Sequence, residues 1–312
     1  MALSEATVRA AARGLAADVV TAEVLTALAE QRISGIILRG PAFQRWLYSP
    51  DEVRTYVDVD LLVRPADRVG AEAVLRGLGF DPLVEEFELR GHRPLHATEW
   101  TRDGGISVDV HETVSGAGAP PRQVWEAFRA RAVSLSINGV EAMIPDAAGV
   151  ALLVGLHAAH HGVRLERCRS DLRRALDRLS DQAWHEAAEL ACRIDAAPAF
   201  AAGLSVDSRG PELAAKLGLP SKRPVDVELR ASSPPPLALG LEWLSRTPGA
   251  RAKTGLLVRT AFPAPGAMRA WRSRARSGRG GLAVSYLTHP FWLARHLPSS
   301  ALALRRARRT SA

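Results

Sequence analysis

The stretch Val57-Asp58-Val59-Asp60-Leu61-Leu62-Val63 constrains this chain more than any other. Its β-branched and apolar residues read as a buried strand, yet two acids lie within it. Side chains alternate along a strand, so Asp58 and Asp60 share one face while Val59 and Leu61 turn to the other. Like charges at that spacing repel each other unless a cation sits between them. Mg2+ or Mn2+ suits such a place, because both favour oxygen donors and leave room for phosphate oxygens. Two such ions about 3.5–4 Å apart support in-line displacement at phosphorus.

The neighbouring sequence supplies more of a site. Asp109 lies in Ile106-Ser107-Val108-Asp109-Val110-His111, a second strand-like run, where it is placed to join the metal and to take a proton from an attacking hydroxyl. His111 either orients Asp109 or packs at the strand end. Upstream, Ile36-Ile37-Leu38 reads as a short strand ending at Arg39-Gly40, and Pro41 suits the first turn of a helix. Backbone N–H groups at that turn are expected to cradle phosphate. Further helices are expected over residues 4–32, 67–78 (closed by Gly79) and 122–131. Hairpins are expected at Asp103-Gly104-Gly105 and at Asn138-Gly139. From Asp146 onward the periodicity is helical only, with helices at 146–161, 168–180, 182–194 and 196–204. The fold class is therefore α+β, a mixed or antiparallel sheet followed by an all-helical region.

Several other chemistries find no support in the motifs. His157 and His161 share a helix face, but they lack the Glu of a zinc-protease motif and any Cys at ligand spacing. They read instead as a polar face turned toward the cleft. Ser107 has no nucleophile motif around it, and the glycines at 278–281 lack the ending of a phosphate loop. Two cysteines, Cys168 and Cys192, make no disulfide framework. The N-terminus does not read as a signal peptide, and the longest uncharged apolar stretch, Gly149 to Ala159, is short of the roughly 20 residues a spanning helix needs. A cytoplasmic location is expected, with access to the inner membrane face.

Charge is unevenly placed. Residues 243–312 hold fourteen Arg or Lys and no acid, whereas the first 242 residues carry a net −6. After the break Ser232-Ser233-Pro234-Pro235-Pro236, this basic region reads as a solvated, partly disordered extension. It has an anionic membrane surface as the favoured partner and nucleic acid as a weaker one.

The run from Ile36 to Phe80 resembles the uncharacterised nucleotidyltransferase family of the polymerase-beta-like superfamily. The resemblance rests on Gly40, Ala42, Tyr48, Arg54, Asp58, Asp60, Leu61, Leu62, Val63, Gly79 and Phe80, with Val108-Asp109-Val110-His111 resembling the third-carboxylate strand. It covers about residues 20–190. It departs at Arg39, where the family has Lys, and at Gly40-Pro41, where the superfamily has Gly-Ser. With the composition break this gives a nucleotidyltransferase domain over residues 1–145, a helical domain over 146–231 and the Pro-rich break with basic region over 232–312 as the expected organisation. The resemblance further implies Mg2+-dependent transfer of a nucleoside monophosphate from an NTP to an acceptor hydroxyl, on a natural product, peptide or envelope intermediate. Asp58, Asp60 and Asp109 would hold the metal and carry catalysis. Arg39, Gly40 and Arg54 would bind nucleotide phosphate, with a structural role as the alternative for Arg54. His161 and Asp171 would touch substrate or support the ligands. The rival readings are a non-catalytic protein that keeps the fold and binds through its tail, and a sugar-phosphate or phosphoryl transferase using the same metal site.

Overall fold

A computed structural model describes residues 5–49, 52, 54–83, 97–103, 105–162 and 165–311. These fall into two compact units, one within residues 5–82 and 97–221 and the other formed by residue 83 with residues 222–311. Residue 4 of the first expected helix lies outside the described residues, as does Gly104 of the first expected hairpin.

The first unit opens with α1 (Glu5–Glu30), then β1 (Gly35–Ile37), α2 (Pro41–Leu47) and β2 (Asp58–Val63). α3 (Arg68–Gly77) follows, and Gly79 reverses the chain at a φ of 81°. That angle costs a glycine little. β3 (Asp81–Pro82), β4 (Ala97–Thr101), β5 (Ser107–His111), α4 (Pro121–Arg129), β6 (Ala132–Ile137) and β7 (Val140–Pro145) complete one sheet. Its order is β3-β4-β5-β2-β1-β7-β6. β2 runs parallel to β5 and antiparallel to β1, and β1 runs parallel to β7. The sheet is mixed, as the sequence led us to expect. The β6–β7 hairpin turns on Asn138 and Gly139, both at positive φ, as a two-residue hairpin demands. The two-residue β3 is an addition to the expected strands. It exists because Asp81 and Pro82 pair with Thr101 and Trp100, a partnership no local pattern announces.

Helices then pack beside the sheet: α5 (Ala147–His161), α6 (Glu166–Arg178), α7 (Asp181–Arg193), α8 (Ala197–Leu204) and α9 (Gly210–Lys216). Asp146 caps α5 by accepting from the Gly149 N–H at 2.8 Å, and Arg131 ties the same carboxylate down at 2.7 Å. α5 is apolar nearly all round, which fits its central position. Its Gly155 faces Gly203 of α8 so closely that a methyl group on Gly203 would sit 1.8 Å from the Gly155 carbonyl oxygen. The boundary expected at 145/146 coincides with the β7–α5 junction inside this unit.

The second unit holds α10 (Val225–Ala231), α11 (Ala238–Arg246), α12 (Ala250–Ala261), α13 (Pro265–Trp271) and α14 (Gly278–Ser311). Its core gathers Leu229, Ala238, Leu304 and Ala307. Glu242, the last acid in the chain, is buried and accepts from Arg308 at 2.9 Å. The disorder expected of the basic region is thus corrected: its residues are largely helical, and Ser285, His289, Ser300, Leu304 and Ala307 give α14 a buried side. Among the described residues no helix is long and apolar enough to cross a membrane.

The α5–α8 contact yields a test. Gly203→Ala is expected to force the two backbones apart, costing about 1–3 kcal/mol as overpacking does. A wild-type thermal midpoint in this variant would refute the close contact.

Candidate active site

The register of β2 and β5 assembles the site. Asp60 lies opposite Asp109 and Leu62 opposite His111 on parallel neighbours, so Asp58, Asp60, Asp109 and His111 share one face. On the other face Val59, Leu61, Val108 and Val110 are buried in the core. One ligand atom each from Asp60, Asp109 and His111 lie within 4.8 Å of one another. That trio differs from the expected set of Asp58, Asp60 and Asp109. Asp58 lines the same cavity but stands outside the tight cluster, and His111 stands inside it. The His111 Nε2 lies 3.1 Å from the Asp60 Oδ1, a contact added to the roles expected for this ring. The signal for it was the two-residue spacing from Asp109, which puts both on one face.

Asp60 is almost wholly buried, at 2% exposure. Burial alone would push its carboxyl up, but Arg39 and His111 outweigh it and hold the group well below the usual carboxylate range. Arg39 makes an ion pair with Asp60 through Nη2. It is delivered there because the Leu38 N–H donates to the Asp60 carbonyl at 2.9 Å, continuing the β1–β2 pairing by one residue. Asp109 behaves oppositely. Burial, then Asp60, Glu99 and Asp58, raise it to about 7. Its Oδ1 is buried with no hydrogen-bond partner among the described residues, which is how an oxygen awaiting a cation would stand. Two hard carboxylates beside an imidazole fit Mg2+ or Mn2+.

These groups open into a cavity of about 400 Å3, whose walls include Arg39, Leu153, Leu156, His157, His160, His161 and Arg167. The imidazoles come from the C-terminal end of α5 and stack edge to face, with His157 and His161 centroids 4.7 Å apart. Burial, followed by the charge on Arg39, pushes His157 well below its ordinary value. His161 is accessible at the mouth of the cavity, yet the surrounding walls and Arg39 lower it too. These rings are neutral donors and acceptors at pH 7. His161 lines the cavity, whereas Asp171 does not.

Asp171 is fully buried and belongs to a structural clamp. It accepts from Arg54 twice, at 3.2 and 2.9 Å, and from the Tyr48 hydroxyl at 2.9 Å. Arg54 also lies over the Phe43 ring, 5.0 Å from its centroid. Arg54 lines the cavity as well, with its Nε and Nη2 donating to Asp171. Gly40 is likewise explained by packing. At a φ of 52° it lies against Tyr56, 3.1 Å from where a Cβ would be, and it is not part of the cavity wall. The Ala42 N–H donates to the Arg39 carbonyl, and Pro41 has no N–H, which thins the expected backbone cradle.

A pH test follows from Asp109. Its carboxyl titrates at about 7 in the folded chain, against 3.8 for an ordinary Asp. Unfolded chains therefore lose this proton first as pH rises, and the group's contribution to stability falls between those two values. Asp109→Asn is expected to raise the thermal midpoint of the metal-free protein at pH 8 and to leave it near wild type at pH 4. A lower midpoint at pH 8 would contradict the buried, repelled carboxylate.

No curated protein matches the chain. Among the solved structures similar to it are two with a TM-score of 0.42 and 17% identity each. One is the antibiotic-resistance factor ANT(2'')-Ia in solution, where the match covers 57% of this chain and 93% of that one. The other is ANT(2'')-Ia in complex with adenylyl-2''-tobramycin, where it covers 56% and 97%. The model of the uncharacterised nucleotidyltransferase family matches residues 1–207, more than half of the sequence, and the chain belongs to that family.

Proposed function

We propose that this nucleotidyltransferase moves a nucleoside monophosphate from an NTP to the hydroxyl of an acceptor, with Mg2+ or Mn2+. The observation that carries the reading is the opposition of Asp60 and Asp109 on parallel strands, with an Asp109 oxygen left without a partner. Asp60 and Asp109 hold the metal, His111 supports Asp60, and Asp58 faces the same cavity from one turn of the pleat away. The bound metal supplies Lewis acidity at the phosphate oxygens and lowers the pKa of the attacking hydroxyl. Arg39 offers the triphosphate a guanidinium able to bind two oxygens at once. Asp109 takes the proton of the acceptor hydroxyl as the oxygen–phosphorus bond forms and the bond to pyrophosphate breaks. The neutral imidazoles of His157 and His161 line the wall opposite, where they can hydrogen-bond the acceptor without adding charge.

The test is incubation with each NTP, divalent metal and hydroxyl-bearing natural products or peptides, followed by mass analysis. The expected products are a nucleoside monophosphate adduct and an equal amount of pyrophosphate. Asp109→Asn is expected to lower the rate by about 10²–10⁴-fold, as loss of a positioned base does. A transferred phosphoryl or sugar-phosphate group would favour that rival chemistry, and nucleotide binding without turnover would favour a binding protein.

A separate observation supports a second partner for the basic region. Along α14, Val284, Leu287, Phe291 and Leu302 are exposed at helical spacing, Phe291 by 77%, and Arg295 and Arg305 continue the same row. We infer that this face lies on an anionic membrane surface, at the cytoplasmic side, where each basic residue contributes about 1 kcal/mol. Vesicles of phosphatidylcholine with and without phosphatidylglycerol provide the measurement. Binding is expected only with the anionic lipid, is expected to weaken with salt, and is expected to drop on Phe291→Ser. Equal binding to both vesicle types would overturn the electrostatic part, and preference for nucleic acid over vesicles would replace the partner.

A further inference from the structure

The guanidinium of Arg39 is paired with a carboxylate of the Asp60, Asp109 and His111 cluster. It pairs with the Asp60 Oδ1, the same oxygen that the His111 Nε2 approaches at 3.1 Å. Asp60 is 1% exposed at its side chain and Arg39 20%, so the acid is sealed while the base keeps one side toward the cavity. A buried carboxylate without a counter-charge is costly, and Arg39 removes that cost in the metal-free protein. The Asp109 Oδ1 has no such partner. The cluster is therefore asymmetric, with one carboxylate already neutralised and its neighbour waiting.

We propose that Arg39 is an exchangeable counter-ion: it holds Asp60 in the metal-free protein and leaves it for the triphosphate when metal and nucleotide arrive together. This rests on the nucleotidyltransferase reading given above. Two features of the structure favour the exchange. Arg39 lies one residue beyond the last β1–β2 hydrogen bond, which runs through Leu38, so its side chain can turn without disturbing that pairing. Its new partner is also anionic, so the guanidinium is never without a counter-charge. The consequence is thermodynamic coupling. Metal alone must displace Arg39 with nothing to receive it, whereas metal with polyphosphate supplies the receiving oxygens. Linkage then requires each to strengthen binding of the other. The device disfavours a metal-loaded, nucleotide-free site and so selects the metal–triphosphate complex as ligand.

Full-length Arg39→Gln separates this role from simple phosphate attraction, because the two effects have opposite signs. By calorimetry, Mn2+ alone is expected to bind the variant about tenfold more tightly than wild type, within the usual range of coupling between sites. The preformed Mn2+–tripolyphosphate complex is expected to bind it more weakly. Equal or weaker binding of Mn2+ alone would overturn the exchange, as would undetectable Mn2+ binding by both proteins. Asp60→Asn tests the underlying reading independently. Abolished Mn2+ binding is expected, and wild-type binding there would mean that the metal site itself is misplaced. Should Arg39→Gln fail to fold, Arg39→Lys keeps a cation beside Asp60. Its point charge lacks the planar fork, so Mn2+ alone should bind about threefold more tightly, and no gain would again overturn the proposal.

Discussion

The interaction on which the first unit depends is the burial of the Asp60 charge in the middle of a seven-stranded sheet. An ionised carboxylate in such a place is tolerated only with opposite charge and hydrogen bonds close by. Arg39 and His111 supply them from the two strands that flank β2: Arg39 from the end of β1 and His111 from the end of β5. The neutralisation therefore works as a cross-strand contact as well as a chemical one. A slip of one residue in either pairing would turn the acid or its partners to the opposite face. The strand order is in this sense tied to the chemistry of the site.

Asp109 shows what the same environment does to a carboxylate without such partners. It faces Asp60 across one strand spacing, it is largely enclosed, and Asp58 and Glu99 add to the negative field. Its proton is held to about pH 7. Two acids on one sheet face thus acquire opposite tendencies, one locked as an anion and the other ready to give or take a proton. This division arises from where Arg39 reaches, since both acids have similar apolar neighbours along their own strands.

The wall facing the carboxylates is positioned by apolar packing and by a clamp. α5 is drawn against α8 where Gly155 and Gly203 remove side chains from the contact, and Asp146 fixes its first turn. The C-terminal end of α5 then presents its histidines to the cavity. Tyr48 and Arg54 meet Asp171 of α6, joining the segment before β2 to the helices after the sheet. Both partners of that pair are buried, so removing either would leave an uncompensated charge. The clamp gives the match at Tyr48 and Arg54 a physical reason that involves no ligand.

Much of this was legible from the sequence. Alternation in Val57–Val63 and Ile106–His111 placed the carboxylates on strands and on one face, because a period of two is a local property. Helix boundaries near Pro41, Asp146 and Gly79 followed from the chemistry of proline, a capping carboxylate and glycine. The resemblance to a nucleotidyltransferase family likewise lay in short motifs. What the sequence left open were partnerships between distant residues: Arg39 with Asp60, His111 with Asp60, and Arg54 with Asp171. The fold of the basic region was equally hidden, since its charge suggested solvation while its buried residues are spread over a 34-residue helix. Sequence by itself determined which residues carry charge and which face of each element they occupy. Tertiary structure alone decided which charges meet, because a carboxylate's partner and pKa depend on distance and burial, and neither is a property of the local chain.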